Sequence, residues 1–220
     1  YKFWGFYDET ADKRYQTEYG RPIADHGMTL APGDAVFVDL NGDGVLNGDD
    51  ATRDIGFTDI PEYTAGLNLG FSWKNFDFSM QWTGAWNVDR MLSEFRRPLG
   101  DTNSKALLLY QYETTWRSSE DTFTAKFPRA SNSHASNNYR GTDLYLINAS
   151  YLRLKNVEIG YNFDFPFMKK MKLDNCRLYI NGYNLLTITG FDWGDPESRQ
   201  SDRPNYPLTR VFNIGLKVGF

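Results

Sequence analysis

From Tyr63 the chain alternates. Ala65, Leu67, Leu69, Phe71 and Trp73 fall on one side of an extended segment, and Gly66, Asn68, Gly70, Ser72 and Lys74 on the other. A period of two predicts a strand with one apolar and one polar face. Lys74-Asn75 reads as a two-residue turn. Beyond it Phe76, Phe78, Met80 and Trp82 alternate with Asp77, Ser79, Gln81 and Thr83, which predicts a hairpin. Each arm is about ten residues long, the length with which a tilted strand crosses a bilayer. The same period returns at Val157, Ile159, Tyr161 and Phe163, then at Cys176, Leu178, Ile180 and Gly182, and finally at Phe212, Ile214, Leu216, Val218 and the terminal Phe220. Leu152 and Leu154 fall out of phase with Val157. A register break near Lys155-Asn156, such as a bulge, would reconcile them; otherwise that end of the strand lies beyond the apolar band.

The remaining segments do not alternate. Tyr1 to Tyr7 reads as the end of a strand, and residues 8–31 as polar and irregular. Residues 88–148 carry one short helix candidate, Ser104 to Arg117, and a Ser/Asn/Gly-rich loop from Thr122 to Thr142. A further loop runs from Thr189 to Pro207. Short connections therefore alternate with long ones, putting short turns at one end of the sheet and long loops at the other. Transmembrane β-barrels have that asymmetry, whereas a β-sandwich usually has long loops at both ends. The fold class expected is all-β, an antiparallel transmembrane barrel with long loops.

Composition sharpens this. Mean hydropathy is −0.57, yet 16% of residues are aromatic, a combination that fits a carbohydrate-binding β-protein or a barrel of two-faced strands. No apolar run is long enough for a membrane helix. The net charge of −4 and the lack of a Lys/Arg cluster argue against a nucleic-acid partner. A single cysteine, Cys176, excludes an internal disulfide framework. His26 and His134 are isolated and no phosphate loop or nucleophile elbow appears, so no enzyme is expected.

One stretch carries candidate chemistry. Counted from Asp39, oxygen-bearing residues occupy positions 1, 3, 5, 9 and 12 of a twelve-residue loop, with Gly44 at position 6. That is the ligand spacing of an EF-hand-type calcium loop, in which hard oxygens converge on a hard cation around a sharp glycine turn. Asp39, Asn41, Asp43 and Asp50 would ligate by side chain, Val45 by its carbonyl, and Asn47 directly or through water. The departure is Asp50, where an EF-hand prefers Glu. A turn-rich acidic loop without metal is the alternative, because Asn-Gly and Asp-Gly are turn dipeptides in their own right. Ala51 to Gly56 followed by Pro61 is too short and broken for an exit helix.

Several stretches in order resemble the carboxyl-terminal part of SusC/RagA-type TonB-dependent outer-membrane transporters. They are Pro32-Gly33-Asp34 with Asp39 to Gly44, Ile55-Gly56 with Pro61, and Lys74-Asn75-Phe76-Asp77. Then come Ala149 to Val157 with Gly160-Tyr161, Tyr183 to Thr187, Asp195-Pro196-Glu197, Tyr206-Pro207 and Phe220. The resemblance spans the chain except the long middle loop. It implies a Gram-negative, Bacteroidota-type outer-membrane importer of oligosaccharides or peptides, energised through TonB and paired with a SusD-like surface lipoprotein as lid. It also implies that residues 1–220 hold only the last five or six strands of a larger barrel, with plug and TonB box elsewhere. Loops would then be extracellular, with the acidic loop among them, and the carboxyl terminus periplasmic. Asp77, Gln81, Glu158 and Asn181 would face a hydrated lumen. Trp82, Trp86, Tyr151 and Tyr161 would supply interfacial girdles or ordinary packing. Trp116, Tyr139, Trp193, Arg199 and Arg203 are candidates for contact with substrate or lid, or for packing between loops. The competing reading is a secreted, calcium-stabilised β-sandwich that binds carbohydrate. A dockerin-like module shares the acidic loop but needs two such loops with helices.

Overall fold

A computed structural model describes residues 1–92, 109–131, 133–164, 173, 175–198 and 208–219. The chain divides into two compact units. The first gathers described residues from Tyr1–Gly56 and Arg90–Ile147, the second those from Phe57–Asp89, Asn148–Gln200 and Pro204–Phe220.

The second unit contains the alternating segments. Five long strands, β3 (Tyr63–Trp73), β4 (Phe76–Trp86), β7 (Tyr151–Phe163), β8 (Asn175–Thr189) and β9 (Val211–Gly219), form one antiparallel sheet in the order β3-β4-β7-β8-β9. The Lys74-Asn75 turn holds as expected, with Lys74 in the left-handed region (φ 54°) and eleven residues paired on each side. Pairing aligns like with like across the sheet. Phe71, Phe78, Ile159, Ile180 and Ile214 make one row; Trp73, Phe76, Tyr161, Leu178 and Leu216 make the next. Between apolar rows run polar ones, such as Ser79, Glu158, Asn181 and Asn213. The apolar face is exposed, with Phe71 at 63% and Ile214 at 71%. A sandwich would bury that face under a second sheet, and among the described residues of this unit there is no second sheet packed on it.

The phase conflict in β7 is resolved by a bulge. Gln81 opposes Asn156 while the next residue, Trp82, opposes Leu154, so Lys155 is left over; against β8 the gap holds two residues, Asn184 and Leu185. Asn184 takes a left-handed backbone (φ 53°), which Asn tolerates better than most residues. Leu152 and Leu154 thereby share the apolar face with Val157, and Arg153 turns to the polar face. Tyr151 goes with Arg153, whose guanidinium lies 5.5 Å from its ring centroid. Its expected place in an interfacial girdle is therefore corrected, because the bulge inverts the parity of residues before Lys155. Trp82, Trp86 and Tyr161 remain on the apolar side.

The first unit is a fold of its own where strand-end and loops were expected. β1 (Phe3–Phe6) pairs with β2 (Ala35–Phe37) in a separate two-stranded sheet, and α1 (Ala11–Tyr19) occupies the stretch expected to be irregular. Only Ala11 and Tyr15 of α1 are buried, so its apolar period is too sparse to see in sequence. A core of Ala24, Ala35, Phe37 and Leu46 lies beneath Tyr1 and Phe3. β5 (Asp89–Met91) and β6 (Leu146–Asn148) are short and pair with each other. In the middle segment α2 (Leu109–Thr114) and α3 (Ala135–Asn138) are one to two turns long. The expected helix thus ends at Thr114 rather than Arg117, its start lying outside the described residues. The Trp116 amide leaves the helix to bond the Phe127 carbonyl at 2.9 Å.

Candidate functional site

The acidic loop is tightly folded. Asp39 and Asp50 are both fully buried. Asp39 accepts from the Gly42 amide (2.6 Å) and the Gly44 amide (3.0 Å). Asp50 accepts from the amides of Leu40 (2.7 Å) and Asn47 (2.9 Å). Asn41, Asp43 and Asn47 each accept from the amide two residues on, at 3.0, 2.8 and 2.7 Å, a succession of Asx turns. Gly44 supplies a left-handed turn (φ 83°) that a Cβ would strain. Leu46 drops into the core, and its amide donates to the Asp25 carbonyl (2.9 Å) while Asp25 donates to Gly44 (2.9 Å). No second acidic loop is needed to anchor this one. The loop closes on a single 3-10 turn, Gly48–Asp50, and residues 51–62 contain no exit helix of the EF-hand kind, as expected.

The donor set fits a hard divalent cation. The Asp39 and Asp50 carboxyls lie within hydrogen-bonding reach of one another in a buried site. Burial acts to raise the Asp50 pKa, but the amides of Asn47, Leu40 and Asn41 outweigh it and hold the carboxyl below its ordinary range, in the ionised form a cation would need. The nearest cationic nitrogen, Arg21 Nε, stands 4.0 Å from Asp39 Oδ2. Among the described residues no three His, Cys, Asp or Glu side chains form a metal-holding group, so Asn41, the Val45 carbonyl and Asn47 would have to complete the shell.

Beside this loop, Asp34 is a buried clamp. Its carboxylate accepts from Arg129 Nε (2.7 Å), the Ala31 amide (2.8 Å) and Asn138 Nδ2 (3.0 Å), and contacts His134 Nδ1 at 2.6 Å. Burial acts to raise its pKa, but those donors outweigh burial and hold the carboxyl below its ordinary range. Gly33 (φ 88°) lies flat under Trp116, where a Cβ would come within 2.2 Å of the indole. Trp116 is accordingly buried, with its Nε1 donating to Thr122 (3.3 Å). Tyr139 is half-buried with its ring 6.4 Å from that of Tyr145, and burial pushes its phenol well up. Trp193 is half-buried in the loop after β8. Arg199 and Arg203 lie outside the described residues. Trp116 and Tyr139 belong to the first unit and Trp193 to the second.

On the polar face of the sheet a charged ladder crosses four strands. Arg177 on β8 donates to Asp77 on β4 and to Glu158 on β7 (2.8 Å). Glu158 accepts from Asn181 (3.3 Å), which in turn accepts from Asn213 on β9 (2.9 Å). Gly160 makes room for this, because a Cβ there would lie 2.3 Å from the guanidinium. A second cluster centres on Arg153, which donates to Thr187 (2.9 Å) and Asp195 (2.9 Å) and pairs with Glu197 (3.2 Å). Lys155 donates to Glu197 (2.8 Å). The cluster borders a recess of about 320 Å³ lined by Arg153, Thr187, Thr189, Asp192, Asp195 and Arg210.

Sequence reasoning singled out Asp77, Glu158 and Asn181, but not the cations between them. The signal was present. Arg153 lies within the Ala149 to Val157 stretch, and its partners are the acids of Asp195-Pro196-Glu197, so two stretches that carried the resemblance are joined by a buried ion pair.

No protein-family model matches the chain. TonB-dependent receptor P3 of Formosa agariphila is 31% identical over 206 residues, covering 86% of this chain and 19% of that protein. TonB-dependent receptor SusC of Bacteroides thetaiotaomicron is 25% identical over 205 residues, covering 92% of this chain and 18% of that protein. The RagAB peptide importer in its open-open state superposes with a TM-score of 0.68 at 20% identity, covering 100% of this chain and 22% of that one. The chain thus spans about a fifth of the length of the relatives it matches. In sequence and in fold it is related to the SusC/RagA-type TonB-dependent receptors, and its five-stranded sheet is part of a transmembrane β-barrel of that kind.

Proposed function

We propose that the polypeptide carrying this sequence is an outer-membrane importer of oligosaccharides or peptides, energised through TonB and capped by a SusD-like lipoprotein, with no enzymatic step of its own. The observation that carries the reading is the row-by-row register of the sheet. Apolar rows fit lipid, and the ladder Asp77–Arg177–Glu158–Asn181–Asn213 fits a wet lumen. A sheet with open edges cannot stand alone in a bilayer, since each unpaired backbone group there costs several kcal/mol, so more strands of the same protein complete it.

In this reading the Lys74-Asn75 turn and the carboxyl terminus are periplasmic, and the acidic loop is extracellular. Calcium there, held by Asp39, Asn41, Asp43, Val45, Asn47 and Asp50, would cross-link one loop and do no chemistry. Trp193 and the recess beside Arg153 and Arg210 are the candidates for substrate contact in the second unit. Tyr139, Arg199 and Arg203 stay candidates for substrate or lid, while Trp116, being buried, would act through loop packing.

Fractionation of the native polypeptide tests the proposal. The expected result is a much larger outer-membrane protein that carries this stretch and co-purifies with a surface lipoprotein. A free polypeptide of 25.4 kDa in the soluble fraction would overturn it.

A further inference from the structure

Most rows of the apolar face are filled by large side chains, and at Gly182, in the row Leu69–Met80–Val157–Gly182–Phe212, the Leu185 side chain takes the space. The row Ala65–Gly84–Leu152 differs, because two adjacent strands contribute a methyl group and a hydrogen. The row above it ends in Trp86 opposite Tyr63, and the row below carries Leu67, Trp82 and Leu154. The result is a groove of about 330 Å³ with Ala65 and Gly66 as floor and Leu67, Trp82, Trp86 and Leu152 as walls, the Trp86 indole lying over Gly84. Trp86 leans over the floor so closely that a Cβ on Gly84 would lie 2.6 Å from its ring, with the Tyr151 carbonyl 3.0 Å away on the other side. No charged or hydroxyl-bearing side chain lines it.

We propose that this groove seats one acyl chain of a bilayer lipid as a resident ligand. The inference rests on the barrel reading, because the groove is continuous with the face that meets lipid. Within a membrane there is no hydrophobic drive to favour one apolar surface over another, so residence is decided by van der Waals fit. A flat row touches a passing chain on one side only. The groove touches it on three, and two of its walls are indoles that lose little rotameric freedom when a ligand docks. Its position one row in from Tyr63 and Trp86, aromatics suited to the headgroup level, would leave the lipid's polar end at the interface.

The test uses the full-length protein in phosphatidylethanolamine vesicles doped with a phosphatidylcholine that bears a diazirine on its acyl chain. After photolysis, adducts are mapped by peptide mass spectrometry. Adducts at residues 65–67, 82–86 and 152 are expected roughly fivefold above those at Ile214, which is more exposed than Leu67 or Trp86 but lies in a row filled by Phe71, Phe78, Ile159 and Ile180. Ala65→Phe fills the groove from its floor and should bring that ratio to one without changing the label on β9. Should Ala65→Phe not assemble, the smaller Ala65→Leu makes the same test. Equal labelling of both regions in the unaltered protein overturns the resident lipid and leaves the barrel standing. No label on either region overturns both.

Discussion

Replacing Arg153 with Met should free the loop that follows β8. Met keeps most of the volume and removes the charge. Arg153 is 2% exposed, its partner Asp195 is 9% exposed and Glu197 is 25% exposed. Removing one member of a buried ion pair costs about 3–5 kcal/mol, chiefly because the remaining charge is left uncompensated. Glu197 keeps Lys155 and some water, so its share is small. Asp195 has neither, which puts the loss near the lower bound, about 3 kcal/mol, or on the order of a hundredfold in a local opening equilibrium. The reporters are the Glu197 amide, which donates to Asp195 Oδ1 (2.8 Å), and the Ser198 amide, which donates to the Asp195 carbonyl (3.0 Å). Hydrogen exchange of the full-length protein in micelles should show residues 191–198 exchanging on the order of a hundredfold faster in Arg153→Met, with β4 and β7 unchanged. Adding Asp195→Leu removes the orphaned acid and should restore part of the protection. Exchange in 191–198 within about twofold of the unaltered protein would refute the reasoning, since it would mean that the ion pair is not what holds the loop.

Three further outcomes follow from the same geometry. Gly160→Ala drives a methyl into the Arg177 guanidinium and should cost about 1–3 kcal/mol in urea unfolding of the reconstituted barrel, a cost that disappears in an Arg177→Ala background. Asp39→Ala with Asp43→Ala should remove one calcium per chain in elemental analysis and speed exchange in residues 34–55; unchanged metal content would refute the proposed ion. His26 is buried, donating from Nδ1 to the Ala24 carbonyl (2.8 Å) and accepting at Nε2 from the Phe37 amide (3.2 Å), so only its neutral form fits. Burial holds its pKa below the ordinary 6.5. The unfolded chain then binds the proton first, and stability is full above about pH 6.5 and is lost as pH falls toward the folded-state pKa. Exchange at the Phe37 amide should accordingly rise between pH 7.5 and pH 5.5, and His26→Gln should flatten that dependence.

The alternation of Tyr63 to Trp82 and of the segments after Val157 sufficed to determine the strands, the Lys74-Asn75 turn and the two faces of the sheet. A period of two is a local property that any register must respect. The acidic loop was legible for the same reason, since its ligand spacing lies within twelve consecutive residues. The phase conflict at Leu152 and Leu154 left open a bulge or a strand end beyond the apolar band, and did not say which residue a bulge would leave over. That Lys155 is the extra residue, and that Arg153 therefore turns to the polar face while Tyr151 goes with it, depends on the pairing with Gln81 and Trp82 on another strand. The first unit was illegible because its order comes from distant partners. Asp34 is fastened to Arg129, His134 and Asn138, about a hundred residues away in sequence, and α1 buries only two side chains. What sequence determined was each segment's own periodicity. What only the tertiary structure decided was which charges meet, because ion pairs such as Arg153 with Asp195 are chosen by register and burial, neither of which a single stretch of chain contains.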